Sequence, residues 1–120
     1  MPYSAYVLTQ EGRAQLLSRC PPKHPEVIAH HVTYAFPDKA PPPAVQDARV
    51  VGYAGDERLE CVVVELDGAR DRPSGGTFHV TLSLNRALGA KPVHSNKLLK
   101  KGWAPLEEPF VVEVSPELLH

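Results

Sequence analysis

The sequence predicts an α+β domain built as two pseudo-symmetric lobes of antiparallel strands with few helices, and three observations lead there. Short runs of β-branched and aromatic residues, separated by proline- and glycine-rich breaks, outnumber the helical patterns. These runs follow one another instead of alternating with helices, which argues against repeated βαβ units. The tripeptide His-Val-Thr occurs twice, at His31-Val32-Thr33 and His79-Val80-Thr81, each inside such a run. Two copies are too few for a repeat array, but they suggest two similar lobes facing each other. At 120 residues the chain fits one domain, residues 1–120, long enough to bury a core without disulfides or a structural metal.

The elements follow in order. Tyr3 to Leu8 reads as a strand, and Thr9 can cap a helix running to about Cys20, with Glu11 well placed in its first turn. Pro21-Pro22 ends that helix. Val27 to Phe36 reads as one strand, followed by a rigid connector, Pro37 to Ala44, with four prolines. Ala48 to Tyr53 and Leu59 to Leu66 read as a strand pair, with Gly55-Asp56 supplying turn chemistry. A polar loop with Asp67-Gly68, Pro73 and Gly75-Gly76 leads into the strand Thr77 to Leu84. A short helix is expected from Asn96 to Lys101, with Ser95 as N-cap and Gly102 as stop. Phe110 to Val114 reads as the last strand.

Composition narrows the function classes. An apolar fraction of 42% and a charged fraction of 22% are those of an ordinary globular protein, and no apolar run is long enough to span a membrane. Met1-Pro2-Tyr3-Ser4 lacks the features of a secretory signal, and Cys20 and Cys61 form no redox or metal spacing, so a cytoplasmic location is expected. A net charge of -1 is unsuited to coating nucleic acid. The stretch from Gly75 to Leu106 nevertheless contains no Asp or Glu but holds Arg86, Lys91, Lys97, Lys100 and Lys101. It reads either as a flank that attracts phosphate or as a solvated basic face whose acidic partners arrive on folding.

Strand alternation puts His31 with Thr33 on one face, and His79 with Thr77, Thr81 and Ser83, while the large apolar residues Val32, Tyr34, Phe78, Val80 and Leu82 share the other. The histidines and threonines are thereby expected to open into a polar groove. Opening a cyclic phosphodiester needs one group to take a proton from water and another to give one to the leaving oxygen, and two histidines can divide those tasks. A hydroxyl two residues along each strand can donate to the phosphate oxygens. With four such groups converging, neither a metal nor another cofactor is required.

At these residues the chain resembles the two-histidine (2H) phosphoesterase superfamily, whose signature is a pair of His-x-Thr/Ser motifs bracketed by apolar residues. Within it, the stretch from Phe78-His79-Val80-Thr81-Leu82 through Lys91-Pro92-Val93-His94-Ser95-Asn96 is similar to the cyclic phosphodiesterase domain of fungal-type tRNA ligases. The resemblance implies paired histidines on two lobes of an α+β fold and hydrolysis of RNA ends or nucleotides carrying a 2′,3′-cyclic phosphate, as in RNA repair. His31, Thr33, His79 and Thr81 are the implied catalytic residues. Cleavage of cyclic oligonucleotide signals by the same residues, and a non-catalytic RNA- or phosphate-binding module, are the alternatives; intact histidines in both motifs count against the module.

The remaining candidates are peripheral. Lys97 and Lys100 are phosphate contacts or the polar side of a short helix, and His94 approaches a phosphate or lies in an exposed loop, with Ser95 beside it. Tyr6, with Tyr3, Tyr34 and Trp103, either stacks on a nucleobase or packs in the core. His24, His30 and His31 make a poor metal set, because His30 and His31 are expected to point to opposite faces of one strand, leaving His30 partly buried beside Tyr34.

Overall fold

The middle of Leu59–Leu66 (β5) is apolar on both faces, with Cys61, Val62, Val63 and Val64 all fully buried. A strand of that composition is stable only at the centre of a sheet covered on both sides. The computed structural model, which describes Met1–His120, places it there. The other strands and α-helices, in chain order, are β1 (Tyr3–Leu8), α1 (Gln10–Arg19), β2 (Glu26–Val27), β3 (His31–Ala35), β4 (Ala48–Gly55), β6 (His79–Leu84), α2 (His94–Lys101), β7 (Ala104–Val111) and β8 (Val114–Leu119). A five-stranded antiparallel sheet has the order β2-β6-β5-β4-β7, and a three-stranded one the order β3-β1-β8.

The molecule is α+β, with the hydrophobic core divided by the large sheet. On one side Val50, Val62, Val64, Val80 and Leu82 meet Tyr6, Leu8, Val32 of the small sheet and Leu16 of α1. On the other, Leu59, Cys61, Val63 and Leu84 are covered by Leu98 and Leu99 of α2. Glu60 is fully buried between these layers, and its carboxylate accepts from Tyr53 Oη, Ser83 Oγ and the Lys23 amide. Three donors satisfy this buried side chain, and they tie the segment after α1 to β5 and β6. No helix is long and apolar enough to cross a membrane.

Local chemistry set several elements as expected. Thr9 caps α1, its Oγ1 accepting from the Gly12 amide at 3.1 Å. Asp56 closes the β4–β5 turn by accepting from the amides of Arg58 and Leu59, and Gly102 ends α2 at φ 123°.

Other elements differ. Val27 to Phe36 is not one strand: the chain pairs with β6 through the Ala29 amide to the Thr81 carbonyl, 2.9 Å, then leaves for the small sheet, where the Leu8 amide reaches the His30 carbonyl at 2.9 Å. Ala29, fully buried, makes that switch at φ 41°. A second crossing replaces the expected strand Phe110 to Val114: Val112 bonds back to Ala48 of the large sheet, while Glu113 accepts from Thr9 beside the small one. Periodicity sees an apolar run and cannot see that its two ends belong to different sheets. α2 begins at His94 with Val93 at its N-cap position and no side-chain cap, because Ser95 is turned into the core. The two lobes are also unequal, with three strands against five.

Candidate active site

The switch at Ala29 is what assembles the site. Because the Ala29 amide is anchored to Thr81 on β6, the next residues, His31 and Thr33 on β3, emerge beside the strand that carries His79 and Thr81. All four side chains line one cavity of about 400 Å³ where the two sheets meet. Its remaining walls are apolar Ile28, Pro92 and Val93, aromatic Tyr3 and Phe36, and the polar ends of Asn96 and Arg72.

The two motifs are not equally exposed. Val32 and Val80 pack inward as alternation requires, but β6 is buried along its whole length, so His79 and Thr81 are each only 8% exposed and form the floor of the cavity. His31 and Thr33 are half-buried on its wall. β6 is second from the edge of its sheet and lies under α2, whereas β3 is an edge strand.

His79 Nδ1 lies 2.8 Å from the Thr77 carbonyl oxygen, which can only accept, so the ring carries its hydrogen on Nδ1 and keeps Nε2 free. Thr81 Oγ1 lies 2.9 Å from Ser95 Oγ and 3.4 Å from the Pro92 carbonyl. The second contact is long for an O–H···O bond. With Ser95 donating, the Thr81 hydroxyl hydrogen is free to turn into the cavity. His31 Nδ1 lies 2.9 Å from His30 Nδ1, one ring donating to the other, and its outer face meets the Tyr3 ring at 5.6 Å between centroids.

Burial sets the charge state. His31 is pushed down to about 4 by desolvation, with smaller contributions from the positive charges of His30, His79 and Arg72. His79 is also held below the usual histidine value by desolvation, partly offset by its bond to Thr77 and reinforced by Arg72. At neutral pH the unliganded cavity therefore holds two neutral imidazoles. Arg72 is the one Lys or Arg lining it, and no Asp or Glu does.

The peripheral candidates are largely elsewhere. Tyr6 is a core residue, 1% exposed, its hydroxyl donating to the Pro43 carbonyl at 2.6 Å, so it offers no ring to a base. Ser95 is fully buried and acts on Thr81 instead of touching the cavity. Lys97 is exposed and does not line the cavity, since the helical turn that brings Asn96 inward carries its neighbour out. His94 stays outside as well, its Nδ1 accepting from the Lys91 amide at 3.1 Å. His30 is exposed, not packed beside Tyr34, and its ring meets His31 instead of pointing away, because it sits at the sheet switch and not on a regular strand. No three His, Cys, Asp or Glu side chains converge to hold a metal ion.

Sequence reasoning missed Arg72. It stands just before the acid-free stretch, in Asp71-Arg72-Pro73-Ser74-Gly75-Gly76, where proline and glycine mark a tight turn immediately ahead of the second motif. That turn was the available signal. Arg86, inside the stretch, is spent on an exposed ion pair with Glu26.

Comparison with protein families, curated proteins and solved structures finds no match to this chain.

Proposed function

We propose that the protein is a 2H-type phosphoesterase, a metal-independent cyclic phosphodiesterase that hydrolyses 2′,3′-cyclic phosphate ends of RNA or nucleotides in the cytoplasm. One observation carries the reading: two His-x-Thr motifs on strands of different sheets present both histidines and both threonines to one cavity.

The chemistry follows from the environments of the two rings. The Thr77 carbonyl behind His79 favours that ring's charged form, whereas His31, lowered first by burial, has its Nδ1 against another imidazole, His30, whose charge pushes it down further. His79 is accordingly the general acid and His31 the general base. An anionic phosphate entering the cavity raises both rings and lets His79 hold its proton at Nε2. His31 takes a proton from water as the hydroxide oxygen bonds to phosphorus, the bond to one ribose oxygen breaks, and His79 Nε2–H protonates that oxygen. Thr33 and Thr81 donate to the non-bridging oxygens, where charge builds. Exchange with solvent returns His79 to its charged form and His31 to its neutral one.

Size and wall chemistry favour a small nucleotide end. About 400 Å³ lies at the small end of ligand sites and suits a cyclic phosphate with one nucleoside. Phe36 and Val93, 59% and 63% exposed, are among the few large apolar side chains left in water, and both line this cavity. They offer contact area to a ribose and base. The test is hydrolysis, in the presence of EDTA, of a short RNA ending in a 2′,3′-cyclic phosphate and of 2′,3′-cyclic mononucleotides. Product formation that His31→Ala and His79→Ala each abolish supports the reading, and strict metal dependence refutes it.

A further inference from the structure

We propose that Arg72 is the anion-binding residue of this cavity, a guanidinium held ready on a tight turn to grip the phosphate that the two histidines act on. The proposal rests on the phosphoesterase reading only in naming that phosphate as substrate.

Three observations carry it. Arg72 Nε is buried with no hydrogen-bond partner, a rare state for a charged donor, and no carboxylate pairs with the guanidinium. The side chain lines the cavity with both histidines and both threonines, and no carboxylate there competes for it. Arg49, Arg70 and Arg86 each meet a carboxylate instead.

The backbone holds the position firmly. Asp71 pairs with Thr77 across a narrow hairpin, the Arg72 amide donates to the Gly76 carbonyl at 2.8 Å, and the Gly75 amide donates to the Arg72 carbonyl at 3.0 Å. Pro73 and Gly75, the latter at φ 102°, suit a turn that begins at Arg72. Two residues beyond the hairpin begins β6 with His79. The hairpin thus carries the arginine directly into the strand of the second motif.

With both imidazoles neutral, Arg72 is the charge that draws an anion in. Its planar fork can donate two parallel N–H bonds to the non-bridging oxygens of a phosphate. The bound anion in turn offsets the repulsion that Arg72 exerts on both rings. The residue thus links phosphate binding to protonation of the acid.

The experiment is titration of the full chain with inorganic phosphate, followed by 31P NMR and by the 15N–1H resonance of Arg72 Nε, alongside turnover of 2′,3′-cyclic AMP. Arg72→Met should weaken phosphate binding and lower kcat/KM by about 10² to 10³. Its melting temperature should not fall, since an unpartnered donor has been removed. Arg72→Lys should recover part of the loss as a point charge without the fork. In the wild type, phosphate should shift the Arg72 Nε resonance, a readout that needs no variant to fold. An unmoved Nε resonance, or equal phosphate affinity in wild type and Arg72→Met, overturns the proposal even if turnover is seen. Phosphate binding through Arg72 with no turnover of any cyclic phosphate would instead overturn the enzymatic reading and leave this one standing.

Discussion

His31 makes the folded state sensitive to acid in a way that can be measured without any substrate. Its pKa is about 4 in the folded protein against an ordinary value of 6.5. A histidine held neutral by folding costs nothing above 6.5. As pH falls below that, the unfolded chain takes up the proton and the folded one resists, so stability is lost progressively and the loss is complete near pH 4. The gap is worth about 3 kcal/mol in all, at most about 1.4 kcal/mol per pH unit. Urea unfolding of the wild type and of His31→Gln at half-unit steps from pH 7.5 to 4 isolates it, because His79 and the carboxylates contribute to both proteins. The wild type should lose up to about 3 kcal/mol more than the variant across this window. Parallel curves would show that His31 is not desolvated in the folded state, and the cavity electrostatics derived from its burial would fall.

Further outcomes are equally concrete. His31→Ala and His79→Ala should each lower turnover by about 10² to 10⁴ while leaving the circular dichroism spectrum intact. The kcat/KM profile of the wild type should be bell-shaped with its maximum between about 4 and 6.5, since His31 is pushed down to about 4 and His79 below its ordinary 6.5 in the free protein; a maximum above pH 8 would contradict those environments. Glu60→Ala should destabilise the protein by about 3 kcal/mol, read by urea unfolding, because Tyr53, Ser83 and the Lys23 amide lose a shared acceptor. Gly12→Ala should be destabilising as well, since an added Cβ would sit 2.0 Å from the Glu113 carbonyl oxygen in the link between β7 and β8; an unchanged melting temperature would count against that packing.

Local signals in the sequence were read correctly where local chemistry decides. Thr9, Asp56 and Gly102 each act through neighbours a few residues away, and the β-branched runs from Ala48 and from Leu59 to Leu66 pair as expected. The pairing of His31 with Thr33 and of His79 with Thr81 was legible for the same reason, since alternation along a strand is a local property. The switch at Ala29 was not, because no propensity marks a buried alanine that turns left-handed to change sheets. That single crossing explains both why one expected strand became two and why His30 meets His31. Ser95 and Tyr6 were misplaced because a hydroxyl reads as polar until a buried partner, Thr81 Oγ1 or the Pro43 carbonyl, is known. The acid-free stretch from Gly75 to Leu106 reads either as a phosphate-attracting flank or as a solvated basic face, and the cavity takes its cation from neither but from Arg72, brought in by a turn whose geometry depends on hydrogen bonds across the hairpin.

The most direct test of the central claim is a 31P NMR time course of 2′,3′-cyclic AMP with the wild type, His31→Ala and His79→Ala in EDTA. Conversion of the cyclic phosphate to a single phosphomonoester is expected with the wild type and with neither variant. A cyclic phosphate that persists with all three proteins, or that disappears as fast with either variant as with the wild type, would contradict that claim.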